Sequence, residues 1–193
     1  GLVLVTAVHA VRTIAGVLPG QAILVQAGAS GSGSMAIQVA KALGARVMAT
    51  ASSDAKAALA RRMGADEVVR YRDRNVAEAA REWTKGAGVD AVIDPVGGVA
   101  MADNVASLKP RGIVVNFGLS GGVEATVPHL YPFFRNELRI RGAWMGSMAE
   151  LRYGLQLVKN GYVKAALDKV LPLSAAAEAH RLDQSKADLA EIY

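Results

Sequence analysis

An alternation that runs through most of this chain constrains its fold more than any other feature: short β-branched, apolar runs are each followed by a longer alanine-rich stretch of helical spacing. The runs Ala22–Ala27, Arg46–Ala51, Glu67–Arg70, Asp90–Asp94, Gly112–Phe117 and Leu138–Ala143 read as six strands. Helical patterns fall between them at Gly33–Leu43, Asp54–Met63, Val76–Trp83 and Ala100–Leu108, most of them ended by Gly or Pro. Two more, Ser147–Lys159 and Ser174–Lys186, follow the last strand, and an amphipathic helix opens the chain. AILVQA and AVID are apolar at successive positions, which suits strands covered by helices on both faces. Right-handed crossovers then predict an α/β fold, a doubly wound six-stranded parallel sheet with helices on both faces.

The 193 residues fit one domain, spanning 1–193, with no internal linker or repeat. With 52% hydrophobic and 20% charged residues, the chain has enough apolar surface for a core and is not of disordered composition. Cysteine is absent, which excludes a disulfide framework, a thiolate zinc site and a cysteine nucleophile within these residues. The net charge of +5 is spread along the chain and is not interleaved with aromatics, so no nucleic-acid partner is expected. No apolar run reaches membrane-spanning length and no export signal is visible, so the reading is a soluble, cytoplasmic protein with no membrane partner.

Directly after the first strand comes Gly28-Ala29-Ser30-Gly31-Ser32-Gly33, and then a helix. Small residues there let the backbone turn sharply and approach a pyrophosphate, while the helix end offers unpaired amide hydrogens and partial positive charge. Ser30 stands where the dinucleotide fingerprint has its middle glycine, and it supplies a hydroxyl in exchange. The competing reading is an ordinary tight turn.

A domain specific for NAD usually carries an acid at the end of the second strand, about 20 residues past the first glycine, to hold the ribose hydroxyls. Here that strand ends Thr50-Ala51-Ser52-Ser53, with no acid. Asp54 follows later and reads as a first-turn helix residue. Lys56, Tyr71 and Arg72 can bring positive charge and a hydroxyl to the place of a 2′-phosphate, so NADP(H) is favoured over NAD(H).

Taken together, these residues resemble the medium-chain dehydrogenase/reductase superfamily, in particular its quinone-oxidoreductase-like and zinc-type alcohol dehydrogenase members. The likeness runs through Thr6-Ala7-Val8-His9-Ala10, Leu18-Pro19-Gly20, the stretch Ser34 to Ala45, Met63-Gly64-Ala65-Asp66, Tyr71-Arg72, Gly88-Val89-Asp90, Asp94-Pro95-Val96-Gly97-Gly98 and Lys109-Pro110-Arg111-Gly112. It implies an NAD(P)-binding Rossmann domain whose cofactor contacts fall on Thr6, Gly28, Ala29, Ser30, Gly31, Ser32, Gly33, Ser52, Ser53, Lys56, Tyr71, Val96, Phe117, Gly118 and Met145. It further implies a hydride-transfer oxidoreductase acting on a small-molecule substrate: a quinone, enone, aldehyde or alcohol. Members of the superfamily carry a preceding GroES-like catalytic domain that holds zinc where zinc is present. That domain is absent from this sequence, so the resemblance implies no zinc site in this chain, no catalytic residue that can be named, and little turnover by the chain alone. It also implies a homodimer through the strand Leu138–Ala143.

Three other readings compete. A short-chain dehydrogenase needs Tyr-x-x-x-Lys, and none of Tyr71, Tyr131, Tyr153 or Tyr162 has Lys four residues later. A methyltransferase would want the acid that is missing after the second strand. A nucleotide-binding sensor or scaffold would keep the loop and catalyse nothing. His9, His129 and His180 lie far apart in sequence without metal-ligand spacing and read as ordinary surface or satisfied residues.

Overall fold

The computed structural model describes residues 1–127, 130–167 and 169–187. The expectation for His129 lies outside them. Six strands form one sheet: β1 (Ala22–Val25), β2 (Arg46–Ala51), β3 (Glu67–Arg70), β4 (Val89–Asp94), β5 (Leu108–Asn116) and β6 (Arg139–Gly142). The helices are α1 (Leu2–Val8), α2 (Gly31–Ala42), α3 (Asp54–Arg62), α4 (Val76–Trp83), α5 (Met101–Ser107), α6 (Leu130–Arg135), α7 (Met148–Lys159) and α8 (Ala176–Ala187). The spatial order is β3-β2-β1-β4-β5-β6 with every pair parallel. That is the expected doubly wound sheet, and its connections reverse direction between β1 and β4.

Strand alternation explains the two covered faces. Ile23, Val25, Val47, Ala49, Val68, Ile93, Ile113 and Val115 point into one core, where Ala36, Ile37 and Ala40 of α2, Val8 of α1 and Leu157 of α7 meet them. Leu24, Met48, Val69, Val92 and Val114 point the other way, against Val76, Ala79 and Ala80 of α4 and Met101 and Val105 of α5. Neighbouring residues of one strand thus belong to different cores, so a strand buried on both faces must be apolar throughout.

Several boundaries differ from expectation. β1 ends at Val25 because Ala27 turns to φ +52°. The fifth strand is expected from Gly112, yet β5 already begins at Leu108, which pairs with Val89. Pairing then shifts register and resumes at Ile113 with Ala91, so the proline sits at a bulge, where its missing N–H costs no ladder bond. α5 accordingly ends at Ser107, short of the expected Leu108. α6, which contains Pro132 and buries no residue, gave no periodic signal. The opening helix continues past α1 as a π-helical turn over His9–Ile14.

That turn is joined to the start of α7 by one buried carboxylate. Glu150 closes a capping box with Ser147, accepting from its backbone N–H at 2.6 Å and its hydroxyl at 2.8 Å, while Ser147 caps the helix. Its other oxygen lies 2.8 Å from His9 Nδ1 and accepts from the Thr13 hydroxyl. Burial alone would raise this carboxyl. The bonds from Ser147, Thr13 and His9 outweigh burial and bring it from 4.5 down to about 2. A carboxyl depressed on folding stabilises the fold above its unfolded value, and that contribution is lost as pH falls from 4.5 toward about 2. Glu150→Gln should therefore remove about 1–2 kcal/mol of stability at neutral pH and flatten the acid limb over that window. Urea titrations of both proteins across the window test this, and parallel acid limbs would contradict it.

Candidate cofactor-binding site

The loop after β1 is built for close approach. A Cβ on Gly28 would lie 2.7 Å from Ala49 Cβ, and one on Gly33 would lie 2.1 Å from the Ala27 carbonyl oxygen. Only glycine lets α2 start directly against the end of β1. Ser30 caps α2 by accepting from the Gly33 N–H at 3.0 Å, so its hydroxyl oxygen acts here as acceptor toward the helix. Gly31 and Ser32 follow in the first turn, where the helix itself offers their N–H groups no carbonyl. Thr50 fixes the approach from below: its hydroxyl accepts from Ala27 N–H at 3.0 Å and its carbonyl accepts from Gly28 N–H at 2.9 Å.

On the β2–β3 side, Ser53 caps α3, accepting from Lys56 N–H. Ser52 and Lys56 are half-buried beside it, and Tyr71 leaves β3 partly exposed. The sequence reading did not single out Arg70 at the end of β3, which pairs with Asp54 at 2.6 Å and with Asp73 at 2.5 Å. Asp54 is thus engaged by a cation.

On the β4–β5 side, Asp94 is completely buried. Burial pushes its carboxyl up, while the Gly97 and Val96 N–H groups, at 3.0 and 2.8 Å, and the side chains of Asn116 and Asn104 pull it back. Asn104 Nδ2 favours the charged form from nearby but makes no hydrogen bond of good geometry. A second buried chain runs from Thr50 to Gln26 at 2.7 Å and from Gln26 to Asn104 at 2.6 Å. Gln26, Asn104 and Asn116 did not stand out in the sequence, and Thr50 and Asp94 entered it only as members of a strand end and of the Asp94–Gly98 run, because the side chains they pair with are 22 to 78 residues away.

Two clefts open at the carboxyl edge and meet at the Val96–Gly98 turn. One, of about 290 Å³, is lined by Gln26, Ala27, Thr50, Tyr71 and Val96, among others. The other, of about 520 Å³, is lined by Gly97, Met101, Asn116, Phe117, Gly118 and Trp144, among others. Of the expected contacts, Tyr71 and Val96 share the first cleft, and Phe117 and Gly118 share the second. Gly28 to Gly33, Ser52, Ser53 and Lys56 line neither. Thr6 spends its hydroxyl on the Leu2 carbonyl at 3.0 Å, and its neighbour Val5 packs on Gly146, beside the exposed Met145 at φ +54°.

Among the described residues, no group of three or more His, Cys, Asp or Glu side chains converges. His9 has its carboxylate, Glu150, already held by Thr13 and Ser147. The described residues therefore do not fit zinc ligation. His180 is exposed. No described helix is long and apolar enough to cross a membrane.

Known proteins share this geometry. A quinone oxidoreductase of Pseudomonas aeruginosa is 34% identical over 169 residues, 83% of this chain and 52% of that protein. A solved NAD-dependent alcohol dehydrogenase superposes with a TM-score of 0.89 at 38% identity, covering 96% of this chain and 54% of the other. A 2-octenoyl-CoA carboxylase reductase solved with NADP and 2-octenoyl-CoA does so with a TM-score of 0.85 at 28% identity, covering 96% and 46%. The chain spans about half the length of the curated relatives that match most of it. Residues 31–160 match the zinc-binding dehydrogenase family, and the chain belongs to that family of oxidoreductases within the medium-chain dehydrogenase/reductase superfamily, with a Rossmann-like α/β fold.

Proposed function

We propose that this chain is the cofactor-binding part of an NADP(H)-dependent oxidoreductase that transfers hydride to or from a quinone, enone, aldehyde or alcohol. The observation that carries the reading is the glycine turn and α2 N-terminus at the topological switch point, next to Ala27 in a cleft that meets a second one at Val96–Gly98. The pyrophosphate lies over Gly31 and Ser32. The adenosine half takes the cleft with Thr50 and Tyr71, and the nicotinamide half takes the one with Phe117 and Gly118. The bound dinucleotide supplies hydride chemistry; these residues bind and orient it.

Preference for NADP(H) rests on the strand-end sequence Ser52-Ser53, on Lys56 and Tyr71, and on the engagement of Asp54 by Arg70. An acid already paired with a cation is a poor acceptor for ribose hydroxyls. A charge-assisted contact with phosphate contributes about 1.5–3 kcal/mol. Lys56→Ala should weaken NADPH by about tenfold or more and leave NADH nearly unchanged in calorimetric titrations. Tighter NADH binding by the unmodified chain would overturn the preference.

The β6 edge supports self-association. Arg139, Ile140, Arg141 and Gly142 are all exposed, and their outer backbone groups can extend the sheet into a second copy. Sedimentation should report a dimer. A folded chain that stays monomeric at high concentration would contradict that.

A further inference from the structure

The buried polar groups beneath the meeting point of the clefts do more than satisfy one another. Asp94 Oδ1 accepts from Val96 and Gly97 of the turn after β4. Its Oδ2 accepts from Asn116 Nδ2 at 3.1 Å, and the same amide donates to the Gly118 carbonyl at 2.9 Å in the segment after β5. The two segments are also in close backbone contact: a Cβ on Gly118 would lie 2.0 Å from the Pro95 carbonyl oxygen, and one on Gly97 would lie 2.7 Å from the Gly118 carbonyl oxygen. Gly121 N–H closes the same contact onto the Val96 carbonyl at 2.8 Å.

We propose that Asp94 and Asn116 form a positioning clamp that fixes the Val96–Gly98 turn against the Phe117–Leu119 segment and so holds the nicotinamide half of the cofactor in one orientation. The clamp rests on the cofactor reading above. It acts mainly on one half of the ligand: Asn116 and Gly118 line only the larger cleft, while the smaller one, which Val96 and Gly121 also line, is supported separately by the Gln26–Thr50 pair. Both oxygens of Asp94 accept, so an amide in its place would turn one NH2 group toward another at Asn116.

The test compares NADPH with adenosine 2′,5′-bisphosphate, which carries the adenosine half alone, on the full chain and on Asn116→Ala. NADPH should weaken by about tenfold or more while the bisphosphate stays within about twofold, and the rise in nicotinamide fluorescence on binding should fall away at saturation. Gly118→Ala spreads the same two segments while leaving the Asp94 and Asn116 side chains in place and should give the same split, which covers the case in which Asn116→Ala fails to fold. Parallel loss of both ligands in folded variants would mean a merely structural role and would overturn the clamp, as would no loss of either. If the unmodified chain binds neither ligand, the cofactor reading falls and the clamp with it. If it binds both and the split is missing, only the clamp falls.

Discussion

Gly33→Ala is expected to abolish measurable dinucleotide binding. The new methyl would sit 2.1 Å from the Ala27 carbonyl oxygen and 2.8 Å from its carbonyl carbon, both backbone atoms of the turn that leaves β1. Neither can swing aside as a side-chain tip could. α2 must therefore retreat from the strand, carrying the Gly31 and Ser32 N–H groups away from the pyrophosphate and stretching the Ser30 cap on Gly33 N–H. Overpacking of this kind costs about 1–3 kcal/mol of stability. Losing several aligned donors to a charged group should reduce affinity by about a hundredfold or more. Gly28→Ala should be milder, since its closest approach, 2.7 Å to Ala49 Cβ, is a smaller overlap, although that methyl too is fixed to the backbone. Calorimetric titration with NADPH, beside a denaturant titration, separates the two effects. Unchanged affinity in Gly33→Ala would mean that the pyrophosphate does not lie on this helix end.

How far the sequence alone reveals this molecule depends on the range of the interactions. The strands were visible because burial on both faces makes β1, β2 and β4 apolar at consecutive positions, and the loop was visible because its glycines adjoin one another. The helix start at Ser147 was legible too, although its capping pair with Glu150 three residues on was not singled out. The partners that give these residues their wider roles were not. Glu150 reaches His9 across 141 residues and Thr13 across 137. Asn116 reaches Asp94 across 22, a separation set by the crossover through α5 and carrying no periodic mark. Asp54 alone is a helix-start residue; only with Arg70 across the β2–β3 edge does it become an engaged carboxylate. The early start of β5 was hidden because Pro110, a residue that ladders exclude, serves at a bulge ahead of the apolar run from Gly112.

By itself, the 193-residue chain should bind cofactor yet fail to transfer hydride at a measurable rate to quinones, enones, aldehydes or alcohols. The larger cleft, where the nicotinamide half is placed, is lined by Gly97, Gly98, Met101, Asn116, Phe117, Gly118, Leu119, Gly122, Val123, Ala125, Gly142, Ala143 and Trp144, none of them a titratable side chain. Reduction of a carbonyl or enone must deliver a proton as well as a hydride, and a positioned acid contributes about 10²–10⁴-fold to such a step. The cleft is also open, with Trp144 85% and Val123 84% exposed at its rim, so water is not excluded and nothing holds the acceptor carbon over the ring. Holding the two reactants in line is worth roughly 7–11 kcal/mol of barrier, so most of about five to eight powers of ten in rate is expected to be missing. Among the described residues, those lining the larger cleft supply neither an opposing wall nor a proton donor. NADPH oxidation followed spectrophotometrically with one acceptor of each class, run beside a titration that confirms occupancy, tests this directly. Robust turnover would place an acid among these residues that the geometry does not reveal, and would overturn the assignment of the larger cleft to an incomplete active site.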